Sequence, residues 1–492
     1  MGRIAILELS EIGTRLLILE SRNGRYNFLK ENFDSFSIGE EIENEQLLKP
    51  ATVSKIISVF TTYRELIQAY SVEKIVGVAS SILVKARNQK GFFDELYNNI
   101  GVGFMLLSEE DCIKYIFSAL NNSIDVSKAC AVYISKHRTY FVKYNRRTIL
   151  GYYSIPFGNN NLGKVGDDFE KIRKELSKCI EEHKTFNIEE SDILIGAGDA
   201  FINFGRIAKK VVHYPIDLDN NYQVSKKQAL DVFKFVKNLD LEKIKKIKGM
   251  IGGPNEFLSG LAIIESVLNT FKINEITISS AEILDGVVLA NLNGEAQEKF
   301  TDLLGNSYDN YYEFHKSDFS NNLRVCNMAA ILFKQLKVMH KLPRIYVKPM
   351  RIAAYMYDSG KAVNFENNEK YGLYTILNSG LNGASQKDLL LAGFICQCQN
   401  PDNFSLAEWM KYKDIVTDED LDAVRKLGVI VRLAQALNSS KKISVTDIVC
   451  DILGDSIIMK TIVNGDASYN ILQGMKVAPD YRKIFKKNLQ II

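Results

Sequence analysis

Three short polar stretches of this 492-residue chain carry side chains fit for chemistry. Ser10-Glu11-Ile12-Gly13 is acidic, with Glu8 two residues before it. Ser135-Lys136-His137-Arg138, followed by Thr139, is basic, and Gly196-Ala197-Gly198 is a glycine turn. An acidic turn facing a basic one has two chemical outcomes. The charges pair and hold the space between them shut, or the basic turn takes an anion through its side chains, with Arg138 as a bidentate partner. The plainer alternative is that these are unrelated, solvated turn residues. A fourth stretch, Ser108-Glu109-Glu110-Asp111, has the S-x-x-D form of a capping box, which starts a helix at Ser108. In that reading Glu110 is a first-turn carboxylate favoured by the helix dipole.

Other chemistries find little support. Seven cysteines, an odd number without paired C-x-x-C spacing, fit reduced thiols better than a disulfide framework or a zinc site. Cys396-Gln397-Cys398, inside an apolar stretch, reads as two buried helical cysteines. A formal charge of +3 is close to balance and gives no whole-molecule case for nucleic acid or membrane binding. No run reaches about 18 apolar residues, and the N-terminus enters a strand directly, so a cytoplasmic protein is expected. The lysines at 243, 245, 246 and 248, and the basic C-terminal run from Lys476 to Lys487, read as solvated faces.

The elements that position the polar turns follow from apolar periodicity. Residues 4–20 form a strand-turn-strand unit around the acidic turn, and residues 131–144 form another around the basic one. Each leads into a third strand and a glycine-marked segment, Phe36-Ser37-Ile38-Gly39 or Ile155-Pro156-Phe157-Gly158. Helices are predicted over 51–70, 91–99 and from 109, with strands at 75–79 and 104–107 between them. The second half repeats the order: strands over 129–155, a helix over 167–183, a strand at 193–195, and a helix after Gly198. A helical insertion over 226–248 and 256–271, a strand at 276–279 and a helix to about 290 complete it. Two copies of β-β-β-α-β-α-β-α make the plan shared by actin, sugar kinases and heat-shock chaperone ATPases. In that plan the two leading turns face each other across a cleft and hold phosphates with backbone N–H groups.

The ordered blocks resemble one family, the exopolyphosphatase and guanosine pentaphosphate phosphohydrolase family (Ppx/GppA). Ile38-Gly39-Glu40-Glu41-Ile42 is similar to its L-G-E-G-L block, Val78-Ala79-Ser80-Ser81 to V-A-T-S, and Ser108-Glu109-Glu110-Asp111-Cys112 to G-x-E-E-A. Ile155-Pro156-Phe157-Gly158 resembles L-P-x-G, Ile195-Gly196-Ala197-Gly198 resembles V-G-x-G-G-T, and Asp285-Gly286 resembles the end of L-R-E-G. The resemblance implies phosphate loops at Ser10, Glu11, Ser135, Lys136, Arg138, Thr139, Gly196 and Gly198. It also implies a water-activating carboxylate at Asp111, or Glu110 beside it, and Mg²⁺ near Glu8.

The chain departs from that family at the parts that position and neutralise phosphate, which carry most of the catalysis in phosphoryl transfer. The D-x-G-S-N-S loop is Glu8-Leu9-Ser10-Glu11-Ile12-Gly13, and D-x-G-G-G-S-T is Tyr133-Ile134-Ser135-Lys136-His137-Arg138-Thr139. Val84 and Leu284 stand where two arginines are expected, and Asp111 is one methylene shorter than the catalytic glutamate.

After a polar linker expected over 294–310, residues 323–333 and Ile352 to Gly360 resemble the helical HD-type domain of long family members. The metal-binding histidines of that domain fall on Tyr357, Tyr371 and Cys398, with Asp358 retained, so no HD-type metal centre is expected. The expected domains are 1–125 and 126–295, two actin-like halves; 296–440, helical and HD-like; and 441–492, a small α+β segment opening on a hairpin. The leading functional expectation is a phosphohydrolase homologue with degenerate phosphate loops, kept as a binding or regulatory protein, homodimeric as its relatives commonly are, with polyphosphate or a guanosine polyphosphate as ligand. The alternative is an active Mg²⁺-dependent exopolyphosphatase. A sugar kinase or ATPase would need intact phosphate loops in both halves.

Overall fold

The computed structural model describes all residues except 1, 161, 163–168, 190–192, 293–301, 315–318 and 441–443. It divides into two compact units, Met1–His213 with Asp219–Phe314, and Tyr214–Leu218 with His315–Ile492.

In the first unit, β1 (Gly2–Ser10) and β2 (Gly13–Arg22) form the expected hairpin, followed by β3 (Arg25–Ser35), β4 (Lys74–Ala79) and β5 (Phe104–Leu106). They make a sheet of order β3-β2-β1-β4-β5. The second half supplies β6 (Lys128–Ile134), β7 (Thr139–Asn145), β8 (Thr148–Ile155), β9 (Ile193–Ala197), β10 (Tyr222–Ser225) and β11 (Glu275–Ser279). Their order, β10-β11-β9-β6-β7-β8, repeats the first sheet with β10 added at one edge. β1 pairs with β4, and β6 with β9, in parallel, so both leading hairpins sit mid-sheet.

A mid-sheet strand needs apolar groups on both faces, which explains the unbroken run from Ile4 to Leu7. Ala5, Leu7 and Leu9 face a core made with the helices Pro50–Ala69 and Gln89–Ile100. Ile4 and Ile6 face a second core, which holds the helices Glu109–Asn121 and Ile283–Leu292 and side chains of both sheets. Those helices cross closely: a Cβ on Gly286 would lie 2.1 Å from the Tyr115 carbonyl oxygen. This is the duplicated actin-like plan.

Three elements differ from expectation. The helix predicted over 226–248 is two, Lys226–Lys237 and Leu241–Lys245, because Asp240 caps the second, accepting from the Lys243 N–H at 2.8 Å. β10 is a four-residue strand that periodicity does not reveal. Residues 303–310 are not linker but part of the helix Leu303–Phe314, which buries Leu303, Tyr308 and Tyr312; the start of the predicted linker lies outside the described residues.

The second unit is mainly helical, its longest helices being Phe319–Gln335 and Asp418–Ala436. It ends in β12 (Val445–Leu453), β13 (Ser456–Val463) and β14 (Asn488–Ile491). The expected hairpin is β12-β13, and β14 joins β13 in parallel. Among the described residues no helix is long and apolar enough to cross a membrane.

Candidate functional site

Both leading hairpins end in tight turns backed by their glycine-marked segments. Gly39 N–H donates to the Glu11 carbonyl at 2.8 Å, and Asn159 N–H donates to that of Ser135 at 3.0 Å. Packing there is close enough to demand glycine, since a Cβ on Gly158 would lie 2.4 Å from the Ser135 oxygen. Gly198, with φ of 93°, brings β9 into the helix Asp199–Val211, and a Cβ there would meet the Ile134 carbonyl at 2.4 Å.

Between the turns lies a cavity of about 150 Å³ whose wall carries four carboxylates, Glu8, Glu11, Asp199 and Glu282, and two cations, Arg15 and Lys136. Each cation is already engaged. Lys136 Nζ donates to Asp199 Oδ2 at 3.1 Å and to Glu256 Oε2 at 2.8 Å. Burial opposes its charge, but the two carboxylates outweigh that and hold it above its ordinary pKa. Arg15 Nη1 donates to Glu282 Oε2 at 2.7 Å, and its Nε lies 3.5 Å from Glu8 Oε2. Burial pushes the Glu8 carboxyl up to about 7, against the pull of Arg15 and aided by Glu282, Glu11 and Glu31. Burial likewise raises Asp285, behind Glu282, to about 6.

The other sequence-derived candidates fall in different places. Ser10, Glu11, Ser135, Lys136 and Gly198 line the cavity. Glu11 turns back within its own half and accepts from Ser80 Oγ at 2.9 Å. Arg138 does not meet Glu11. It donates to Glu109 Oε2 at 3.1 Å and to Ser154 Oγ at 2.6 Å, while His137 Nδ1 lies 2.8 Å from Glu43 Oε1. The two turns therefore do not pair with each other: Lys136 stays within its own half, and His137 and Arg138 meet carboxylates of the other half that do not border the cavity. Thr139 is fully buried, its hydroxyl donating to the Phe157 carbonyl, and Gly196 lies beneath the Phe201 ring.

Neither proposed base borders the cavity. Asp111 closes the capping box, its Oδ2 accepting from Ser108 N–H at 3.0 Å and from Ser108 Oγ at 2.6 Å. Glu110 pairs with Lys114 at 2.9 Å in solvent. A Mg²⁺ ion at Glu8 would have to compete with the Arg15 guanidinium beside it. Burial, which raises the Glu8 carboxyl to about 7, also favours its proton over a bound cation, and among the described residues no three His, Cys, Asp or Glu side chains are grouped around it.

At the positions expected to be HD-like, Tyr357 Oη accepts from Asn321, and Asp358 Oδ1 accepts from Asn322 at 3.0 Å. Cys396 and Cys398 are buried. His340 is buried, with Nδ1 accepting from Leu342 N–H and Nε2–H donating to the Phe333 carbonyl. His315 lies outside the described residues.

Sequence reasoning missed Arg15, Glu282, Asp199 and Glu256. Asp199 alone left a signal, as the acid opening the helix after Gly198.

The model of the Ppx/GppA phosphatase family matches residues 17–295, more than half of the chain. The chain belongs to that family. A second model, Ppx/GppA phosphatase domain III, matches residues 306–466. Two guanosine-5'-triphosphate,3'-diphosphate pyrophosphatases, from Aeromonas hydrophila and Aeromonas salmonicida, are each 27% identical over 139 residues, 28% of this chain. The match spans only 27% of the length of those relatives. Among solved structures, the Aquifex aeolicus Ppx/GppA family member aligns with a TM-score of 0.52 and 21% identity, over 59% of this chain and 97% of that one. An exopolyphosphatase from Cytophaga hutchinsonii aligns with a TM-score of 0.52 and 18% identity, over 59% and 98%. At such identities these structures support the fold alone.

Proposed function

We propose that this Ppx/GppA family member has weak or no phosphoanhydride hydrolase activity and serves as a binding or regulatory protein in the cytoplasm. One observation carries this reading: both cations on the cavity wall are neutralised by the protein's own carboxylates, Lys136 by Asp199 and Glu256, and Arg15 by Glu282. An incoming phosphate chain must displace these partners and approach a wall with a carboxylate excess, at a Coulombic cost enlarged by partial burial. Ser10, Glu11, Ser135, Lys136 and Gly198 are the residues that would meet a polyphosphate or guanosine polyphosphate. The same proposal takes residues 1–125 and 126–295 as two actin-like halves, 296–440 as an HD-like domain without a metal centre, 441–492 as a C-terminal segment, and the assembly as a homodimer.

The test is phosphate release from long-chain polyphosphate and guanosine pentaphosphate, with Mg²⁺ or Mn²⁺, by wild type, Asp111→Ala and Glu110→Ala. The expected result is no turnover in any of them; turnover abolished by Asp111→Ala would defeat the proposal. One observation favours a second reading, an active exopolyphosphatase. Glu8 borders the cavity with a carboxyl near neutrality, the range suited to general acid–base work. In that case Glu8→Gln abolishes turnover and Asp111→Ala does not.

A further inference from the structure

The basic turn does more than neutralise charge within its own half. His137 reaches Glu43 on the helix Ile38–Glu45, and Arg138 reaches Glu109 at the start of the helix Glu109–Asn121. Both carboxylates belong to the first β-β-β-α-β-α-β-α repeat, and the imidazole and the guanidinium to the second. Glu109 is fastened twice, since Ser154 Oγ also donates to its Oε1 at 2.5 Å. The imidazole is seated against backbone: a Cβ on Gly39 would lie 3.1 Å from His137 Nε2. Inside the same cavity, the thiol-bearing residue Cys112 lies on the wall and is only 8% exposed.

We propose that His137–Glu43 and Arg138–Glu109, which follow the cavity-lining Lys136 in the same turn without bordering the cavity themselves, form a latch that holds the two repeats together and limits entry to the cavity. The proposal deepens the reading of a poorly accessible, internally neutralised cavity above and rests on it. Part-exposed contacts to a carboxylate, whether from a guanidinium or an imidazole, each shift an equilibrium by roughly two- to fivefold. Removing both therefore raises the open population on the order of tenfold. Arg15–Glu282 also joins the repeats and remains in place to keep the cavity wall assembled.

Cys112 reports the opening directly. Wild type and the double variant Glu43→Gln/Arg138→Gln, which leaves the Glu109 carboxylate near the thiol unchanged, are treated with iodoacetamide, and alkylation is followed by peptide mass spectrometry at Cys112 and at Cys130, a buried cysteine in the core of β6. The latch requires alkylation of Cys112 to be about tenfold faster in the variant while Cys130 stays at its wild-type rate. Equal rates at Cys112 overturn it. Parallel acceleration at Cys112 and Cys130 also overturns it, because the event exposed is then unfolding of the core. Phosphate release is read separately. A wild type that turns over phosphate defeats the inactive reading and leaves the latch, which Cys112 reports, standing.

Discussion

The two leading hairpins share a topology and differ in what their turns do. β1-β2 and β6-β7 occupy equivalent mid-sheet positions, each backed by a glycine-marked segment that hydrogen-bonds the turn. The first turn is acidic and folds inward, with Glu11 held by Ser80 of its own repeat. The second is basic and reaches outward, with Lys136 tied at home and His137 and Arg138 tied to the opposite repeat. Strand pattern fixes where a turn sits, and the turn residues then decide whether the space between receives an anion or is closed by internal charge.

The largest expected effect tests whether the backbone frame is as strict as the close contacts imply. Gly198→Ala puts a Cβ against the Ile134 carbonyl at a positive φ and is expected to cost about 2–4 kcal/mol in chemical denaturation. A cost under about 1 kcal/mol would mean that the second turn has slack. Next comes Lys136→Ala, which leaves Asp199 and Glu256 facing each other without a cation. A loss of about 1–3 kcal/mol is expected, with part of the buried-pair penalty relieved by the partial exposure of both acids. At the first turn the sign reverses. The folded protein holds the Glu8 proton to about pH 7, against an ordinary 4.5, so Glu8 favours folding most below pH 4.5, and that contribution is lost as pH rises through about 7. Glu8→Gln should therefore gain about 1–2 kcal/mol over wild type at pH 8, and the gain should vanish near pH 4.5 in parallel denaturation curves. Smallest are the carboxylates of the helix start. Asp111→Ala should lose about 0.5–1 kcal/mol as a missing cap, and Glu110→Ala should stay within about 0.5 kcal/mol.

The hairpins, the duplication and the capping box at Ser108 were legible because each rests on local spacing. Ile4 to Leu9 alternates between two cores, and Ser108 and Asp111 are three residues apart. The cavity's charge network was not legible, because Arg15 meets Glu282 across 267 residues of sequence and Lys136 meets Glu256 across 120. Composition marked the two turns as oppositely charged, yet it carried no information on which carboxylate each cation would meet. Tertiary packing chose Glu43 and Glu109 over Glu11. The break between Lys237 and Leu241 in the predicted helix was readable in principle, since Asp240 is a good N-cap residue; the run of lysines that follows concealed it.

The helix Leu303–Phe314 bears on how this chain can be shortened. It lies along the edge strand β3, where Arg25 pairs with Asp309 at 2.6 Å and the Tyr26 N–H is satisfied by Asn310 Oδ1 at 2.9 Å. That strand also carries Phe28 and Phe33, both more than 40% exposed. An uncovered edge with apolar side chains is a template for intermolecular strand pairing. A truncation at residue 295, where the first family match stops, would strip this cover and invite precipitation, whereas one that ends after Phe314 keeps the sheet's own chaperone attached.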